Sequence, residues 1–445
     1  MCIRDRRRNV VIAIDPAGLI ASVSADDTAT TATTVNGAAI PGMPNVHSHA
    51  FQRAMAGRSE RRGPGREPDN FWTWREAMYE LAGRMTPELL NAIATQVYVE
   101  MLKAGYTAVC EFHYLHRPGA QAAQADLDPA IMTQALIDAA ASAGIGLTLL
   151  PALYQTADFG HAEPSERQRQ FTLETDRFLA LVAHLRQAAH SQVELGIALH
   201  SLRAVPPATL QRVVQALPDV PVVHIHVAEQ MREVEAATKH LGARPVEWLL
   251  EHAPVDRRWC LVHATHATAE ELKAIAARGA VVGLCPTTEA NLGDGRFPLP
   301  QFLGASGEFG IGSDSHVSLS PGEELRWLEY QARLESKRRN VCAGDDGLST
   351  GANLWRRACA GGARASGRRI GSLALGMRAD VVVIDTDIPL LYNRSGDEII
   401  DTFIFSGTSS AVRDVMVGGR WLVQQGHHFA AVSYTHLTLP TILRV

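Results

Sequence analysis

The sequence predicts an α/β protein, a (β/α)8 TIM-like barrel with a small flanking β-sandwich built from both chain ends. Eight short apolar runs follow one another from about residue 38, amphipathic segments separate them, and both chain ends carry short strand-like runs. Strands that alternate with helices are typical of a parallel sheet, and eight such units close into a barrel. With 445 residues the chain has room for this barrel and an attached domain.

The flanking sandwich is predicted over residues 7–40 and again over 372–431. At the first end, NVVIAIDPAGLIASVSA has the pattern of two short strands around an Asp-Pro turn, and VRDVMVGGRWLV at the second end is similar. The barrel is predicted over residues 41–371. Residues 1–6 and 432–445 are unlike the rest of the chain, and we expect them to be non-native tails.

Eight barrel strands are predicted from the apolar runs. They lie at 38–46, 107–112, 144–153, 193–199, 221–227, 259–263, 280–285 and 309–314. Helical patterns lie between them, and four of these patterns close on a glycine, as helix C-termini often do: 87–105, 128–144, 230–242 and 268–279. After the first strand, residues 51–74 form a polar, glycine-rich stretch that we expect to be a loop over the site.

Composition excludes several classes of protein. The formal charge of −5 comes from interspersed signs, which gives no electrostatic footprint for nucleic acid. No apolar run approaches the ~20 residues that span a bilayer, so we expect a cytoplasmic protein that acts on a small molecule without a membrane partner. The six cysteines form no CxxC pair, which argues against a thiolate zinc site or a disulfide framework: Cys2, Cys110, Cys260, Cys285, Cys342 and Cys359.

The stretch PNVHSHAFQR places two histidines on alternate positions at the end of the first predicted strand. Side chains at i and i+2 leave the same face of a strand, so His47 and His49 would project side by side. Two neutral imidazoles in that arrangement can hold one divalent metal ion. Taken alone, the motif is more often a pair of solvent-facing histidines in a loop.

Three further residues fall at the carboxyl ends of predicted strands, where (β/α)8 enzymes build their sites. His226 ends the fifth strand, His263 the sixth and Asp314 the eighth. Each has an ordinary structural explanation: His226 as a core histidine beside His224, His263 as a residue packed beside Cys260, and Asp314 as a helix cap. Together their shared position favours one metal site.

These motifs resemble the amidohydrolase superfamily of metal-dependent hydrolases on (β/α)8 barrels. HVAE, in which Glu229 follows His226 by three residues, is similar to the mononuclear deaminase branch, and His200 stands where the binuclear branch has a lysine. More narrowly, the formimidoylglutamate deiminase family of histidine degradation is similar over residues 9 to 420, through PGMPNVHSHAFQRAMAG, FWTWREAMY, GYTAVCEFHYLH, ALHSLRAV, HIHVAEQ, LVHATH and GLCPTTEANLGDGRFPL.

The resemblance implies a reaction and a role for each site residue. It implies hydrolytic deamination of N-formimino-L-glutamate to N-formyl-L-glutamate and ammonia by a metal-activated water, in a homodimer. One Zn²⁺ per subunit, with Fe²⁺ or Mn²⁺ also acceptable to the same donors, would be held by His47, His49, His226 and Asp314. The catalytic residues would be Glu229, His263 and Asp314. The substrate contacts would be Gln52, Tyr114, His200 and Arg203.

Two other functions stay open at the level of sequence. A deaminase or chlorohydrolase acting on a guanine, cytosine or triazine ring would use the same metal ligands, with an aromatic slot in place of the planar carboxylate-binding fork of Arg203. A non-catalytic barrel scaffold is the alternative of a different class, but all four candidate metal ligands are present in this chain.

Overall fold

A computed structural model describes residues 9–25, 32–61, 69–119, 128–188 and 192–429 of the chain. The expected tails at 1–6 and 432–445 lie outside this part. The predicted bounds of 7–40, 41–371 and 372–431 for the three regions stay predictions. In the described part, no helix is both long enough and apolar enough to cross a membrane.

The eight-stranded parallel barrel predicted from the sequence is confirmed. Its strands, in chain order, are β4 (Met43–Ser48), β5 (Tyr106–His113), β6 (Gly146–Leu153), the pair β7 (Val193–Leu195) and β8 (Ile197–Ser201), β9 (Val223–Val227), β10 (Trp259–His263), β11 (Val281–Leu284) and β12 (Glu308–Ile311). Each strand pairs in parallel with its neighbours, and β12 pairs with β4 to close the barrel.

Helices connect the strands on the outside, as the alternating pattern predicts. In the described residues they are α1 (Phe71–Ala82), α2 (Pro87–Ala104), α3 (Ala130–Ala143), α4 (Thr175–Gln187), α5 (Pro207–Ala216), α6 (Met231–Leu241), α7 (Pro245–His252), α8 (Ala269–Arg278), α9 (Pro286–Leu292), α10 (Leu299–Gly304), α11 (Pro321–Ser336), α12 (Thr350–Ser366) and α13 (Asp397–Phe405). The four predicted glycine stops end α2, α3, α6 and α8 in the left-handed conformation.

The chain ends meet in an antiparallel sheet, again as predicted. Its order is β16 (His427–His428), β15 (Arg420–Gln424), β14 (Val412–Val417), β13 (Val381–Ile384) and β3 (Ala38–Pro41). A hairpin of β1 (Val11–Ile14) and β2 (Ile20–Ser24) contributes Ile20 to a small apolar cluster with Val381, Val383 and Met416 of this sheet. The small flanking domain therefore has its own core.

Two predictions about the first barrel unit are wrong in detail. The apolar run 38–46 is two strands, because the chain leaves the flanking sheet at Gly42 and enters the barrel. A Cβ at Gly42 would lie 2.3 Å from a methyl carbon of Thr107, so only glycine fits this junction. The expected loop 51–74 also contains structure, since a 3-10 helix covers Ala50–Met55 and α1 begins at Phe71.

Helix α12 packs against the starting ends of β12 and β4. Its Ala365 carbonyl accepts a hydrogen bond from His224 Nε2 inside the barrel (2.8 Å). One turn earlier, Gly361 lies so close to strand β12 that a Cβ there would be 2.0 Å from the Phe309 carbonyl oxygen. The close packing of α12 on strand β12 therefore depends on a glycine at position 361.

We expect Gly361→Ala to destabilise the protein by about 1–3 kcal/mol, because the added methyl group must displace backbone atoms in a packed region. In an open helix the same change would stabilise by up to ~1 kcal/mol. Gly304→Ala is the matched control, since no atom lies within 4 Å of a Cβ at that position. Urea unfolding midpoints test this, and equal midpoints for the two variants would contradict it.

Candidate functional site

Four predicted ligands converge at the carboxyl end of the barrel. His47 is the second-last residue of strand β4 and His49 follows that strand, while His226 lies in β9. Asp314 lies just beyond β12, yet its backbone still pairs with Ser48 in a parallel bridge. All four residues are buried. The strand-end rule therefore places side chains from three distant segments around one centre.

The distances between the donor atoms suit a metal ion. His47 Nε2 lies 2.9 Å from His226 Nε2, and Asp314 Oδ1 lies 3.5 Å from both His47 Nε2 and His49 Nε2. Two ligands bonded at about 2.0–2.2 Å to a tetrahedral zinc ion are roughly 3.3–3.6 Å apart. The described residues contain groups of side chains that could bind a metal ion. Two of these groups together include all four predicted ligands: His47–His226–His263 and His47–His49–Asp314.

Backbone carbonyls orient two of the imidazoles. His49 Nδ1 lies 2.9 Å from the Phe112 carbonyl oxygen, and His226 Nδ1 lies 3.0 Å from that of His200. Since a carbonyl oxygen can only accept, each Nδ1 carries the proton and donates it. Each Nε2 therefore presents a lone pair to the centre, which is the arrangement that metal-binding histidines require.

The electrostatics of the site favour neutral imidazoles. Burial holds the pKa of His47 and of His226 well below the usual range, and burial lowers the pKa of His49 to about 3. Burial also raises the pKa of Asp314 to about 7. The three imidazoles are therefore uncharged at neutral pH, and a bound cation would favour the ionised form of Asp314.

His263 differs from these histidines because carboxylates surround it. Its Nε2 lies 3.5 Å from Glu229 Oε1 and 3.7 Å from Asp314 Oδ2, and its Nδ1 lies 3.2 Å from Glu289 Oε1. Burial alone would lower the pKa of His263, but Glu229, the hydrogen bond with Glu289 and the charge of Asp314 together raise it to about 10. The geometry makes this ring a cationic donor beside the centre.

Several site residues adopt the left-handed backbone conformation without being glycine. Their φ angles are +52° at Ala228, +68° at His263, +48° at Ala264, +46° at Asp314 and +63° at His316. Such conformations are strained and tend to persist where function requires them. At His263 and Asp314 the turn directs a side chain inward at the end of a strand, so glycine could not serve there.

The predicted substrate contacts line one cavity above this centre. Gln52, Tyr114, His200 and Arg203 all border it, together with His49, His226, Glu229, His263 and Asp314. Gln52 Nε2 donates a hydrogen bond to the Tyr114 hydroxyl (2.8 Å). The structure thus brings every predicted site residue into the cavity wall except His47, which lies fully buried beneath it.

The sequence prediction missed a second guanidinium in this wall. Arg75 of α1 lines the cavity, and its Nε and Nη1 are buried without a hydrogen-bond partner in the described part of the chain. Arg203 Nε is in the same condition. Both guanidinium carbons lie near the Trp72 ring, at 4.5 Å and 5.7 Å from its centroid.

The sequence contains a signal for the side of α1 that faces the cavity. Phe71, Trp74, Arg75 and Met78 recur at the spacing of one helix face, and all four line the cavity. The assignment of 51–74 as a loop concealed that periodicity. Glu289, the partner of His263, lies in the PTTEANLG stretch and was missed by the sequence prediction as well.

Comparisons with known proteins agree with the fold and identify the family. The amidohydrolase family matches residues 38–422. Formimidoylglutamate deiminase of Pseudomonas aeruginosa is 51% identical over 425 residues, which cover 95% of this chain and 92% of that protein. A 5-methylthioadenosine/S-adenosylhomocysteine deaminase of Natronomonas pharaonis is 27% identical over 390 residues, 86% of this chain and 81% of that protein.

Solved structures show the same architecture. An amidohydrolase from Brucella melitensis has a TM-score of 0.90 and 45% identity, over 96% of this chain and 94% of that chain. Atrazine chlorohydrolase from Arthrobacter aurescens, solved with zinc, has a TM-score of 0.78 over the same shares of the two chains. At 22% identity, this second likeness concerns the fold alone.

We expect His226→Ala to lose the bound metal ion, because it removes one of four convergent donors. His224→Ala is the matched control: it lies two residues earlier on the same strand face, but its ring contacts α12. This control should keep about one metal ion per folded chain, even where it lowers stability. Elemental analysis of the folded fraction after dialysis tests this, and equal metal contents for the two variants would contradict the assignment.

Proposed function

The chain belongs to the amidohydrolase family, and on that premise we propose that it is a formimidoylglutamate deiminase, which hydrolyses N-formimino-L-glutamate to N-formyl-L-glutamate and ammonia. The observation that carries this proposal is the pairing of two unpartnered guanidiniums with a metal-ligand cluster in one cavity. The proposed substrate has matching chemistry, since it carries two carboxylates and one hydrolysable formimino group.

Arg75 and Arg203 are the proposed carboxylate-binding residues. A guanidinium stacked on an indole ring keeps its N–H edge free, and that edge matches a carboxylate in two parallel hydrogen bonds. Both side chains border the cavity, and neither has an ion-pair partner within 4 Å in the part of the chain that the structure describes. Gln52, Tyr114 and His200 supply neutral donors and acceptors in the same wall.

The metal ion that we propose is zinc, one per subunit, held by His47, His49, His226 and Asp314. Three neutral nitrogens and one carboxylate oxygen are a donor set that zinc accepts, as do Fe²⁺ and Mn²⁺. Bound there, a divalent cation supplies Lewis-acid activation of water at neutral pH.

Side chains of the cavity carry out the proton transfers of the reaction. Water adds to the formimino carbon, the C=N bond opens, and the nitrogen leaves as ammonia while a formyl C=O forms. Asp314 lies beside His47 and His49 in the proposed ligand set, where its carboxylate would take a proton from the attacking water. Glu229 borders the cavity and delivers a proton to the departing nitrogen. The His263 imidazolium stabilises the negative charge that develops on oxygen.

We further propose that the protein acts in histidine degradation, in the cytoplasm and as a homodimer. The likeness to formimidoylglutamate deiminases supports these points. Among the alternatives, a ring deaminase or chlorohydrolase would leave the buried Arg203 and the half-buried Arg75 without a ligand, at a considerable desolvation cost. The dicarboxylate substrate therefore gives both arginines of the cavity wall a binding partner, which a ring substrate does not.

An ammonia assay on zinc-reconstituted protein tests the proposed reaction. We expect ammonia and formylglutamate from N-formimino-L-glutamate, and no ammonia from N-formyl-L-glutamate or guanine. Elemental analysis of the same sample relates turnover to metal content. Ammonia from guanine or a triazine, with none from formiminoglutamate, would favour the ring-deaminase alternative.

We expect Arg75→Met and Arg203→Met each to lower kcat/KM for formiminoglutamate by about 2–4 kcal/mol, which is roughly 30- to 700-fold. Each change removes a charge-assisted contact while keeping an apolar side chain of similar length. Arg167→Met is the control, since Arg167 is exposed and pairs with Glu76 outside the cavity. An unchanged kcat/KM in either cavity variant would remove that arginine from the carboxylate site.

A further inference from the structure

One buried carboxylate holds the backbone of the segment that carries Glu229. Glu233 lies in the first turn of α6 and is only 3% exposed. Its Oε1 accepts a hydrogen bond from the Ala228 N–H (3.2 Å), and its Oε2 accepts one from the Glu229 N–H (3.2 Å). Both carboxylate oxygens of Glu233 are therefore committed to two consecutive N–H groups just after strand β9.

This segment needs such support because its backbone is strained. Ala228 has a φ of +52°, a conformation that side chains other than glycine rarely adopt. A strained residue persists when the surrounding contacts determine its position. The two hydrogen bonds that Glu233 accepts fix the peptide groups on either side of Ala228, and with them the starting point of the Glu229 side chain.

Glu233 also faces the proposed carboxylate site. It lines the same cavity as Arg203 and Glu229. Burial raises the pKa of Glu233, and the positive charge of Arg203 acts in the opposite direction, towards the ionised form. In the described residues no ion pair within 4 Å joins Glu233 to Arg203, and Arg203 Nε stays without a partner. The attraction therefore acts at a distance and leaves the donor edge of Arg203 open.

We propose that Glu233 is a positioning residue that holds the Glu229 side chain at the right place beside the reacting carbon. Its charge also lowers the affinity of Arg203 for the substrate carboxylate. This inference rests on the proposed function and adds a residue to it. Loss of the Glu233 charge should therefore slow the chemical step without weakening substrate binding.

A purely structural role would have another signature. A glutamate in the first turn of a helix can simply satisfy nearby N–H groups and stabilise the helix start. Its loss would then lower the unfolding temperature and the yield of folded protein, but turnover per folded, metal-loaded chain would be unchanged. The separation of kcat from KM distinguishes the two roles.

The test compares Glu233→Gln with Glu235→Gln in zinc-loaded, full-length protein. Glu235 lies on the same helix, is exposed, and undergoes the same change of charge. For Glu233→Gln we expect kcat to fall about 10- to 100-fold, as for small misplacements of a reacting group. The KM should stay the same or decrease, because no neighbouring anion then offsets the charge of Arg203. Glu235→Gln should match the wild type.

A second variant covers the case in which Glu233→Gln does not fold. Ala228→Gly removes the strain at φ +52° and loosens the backbone at residue 228 without changing any charge. We expect it to fold and to show a lower kcat with an unchanged KM. Metal content and unfolding temperature are measured for every variant.

The possible failures can be told apart. A wild-type protein that releases no ammonia from N-formimino-L-glutamate overturns the proposed function and this inference with it. An active wild type with an unchanged kcat in the folded variants overturns the inference alone. A fall in kcat that only follows a fall in metal content also overturns it, because Glu233 would then act on the metal site and not on Glu229.

Discussion

The site depends on the seam at which the barrel closes. Asp314 donates its backbone N–H to the His47 carbonyl (3.0 Å), and its own carbonyl accepts from the His49 N–H (3.1 Å). These two hydrogen bonds join the last barrel strand to the first, and they link three of the four candidate ligands directly. Closure of the barrel and assembly of the ligand set are therefore one structural event.

A buried polar network stabilises this seam from behind. Asn45 donates to Ser313 Oγ (2.6 Å), and Ser313 Oγ contacts His316 Nδ1 (2.9 Å). The opposite nitrogen of His316 lies 3.2 Å from the hydroxyl of Ser48, which donates to the Glu111 carboxylate. Such networks favour one arrangement when every member has its partners. Ser48, between the two histidines of the motif, thus anchors the end of strand β4 while its neighbours face the candidate metal centre.

Sequence reasoning succeeded where one rule governs many residues. The alternation of apolar and amphipathic runs sufficed for the barrel, and the position of polar residues at strand ends sufficed to predict that the candidate ligands converge, because both follow from backbone periodicity. It failed where a tertiary contact decides the outcome. Nothing in the run 38–46 shows that Thr107 excludes a side chain at Gly42, and Arg75 was hidden because its helix begins inside an expected loop.

The seam also has a consequence for how the protein is made. Its hydrogen bonds join residues 268 positions apart, as between Asn45 and Ser313. During synthesis the HxH segment leaves the ribosome long before the segment that carries Asp314, so a nascent chain presents those imidazoles with an incomplete set of partners. Contacts between such distant segments form slowly. With the proposed ligand set, capture of a metal ion would accordingly be a late step of maturation, because about 70% of the chain precedes Asp314.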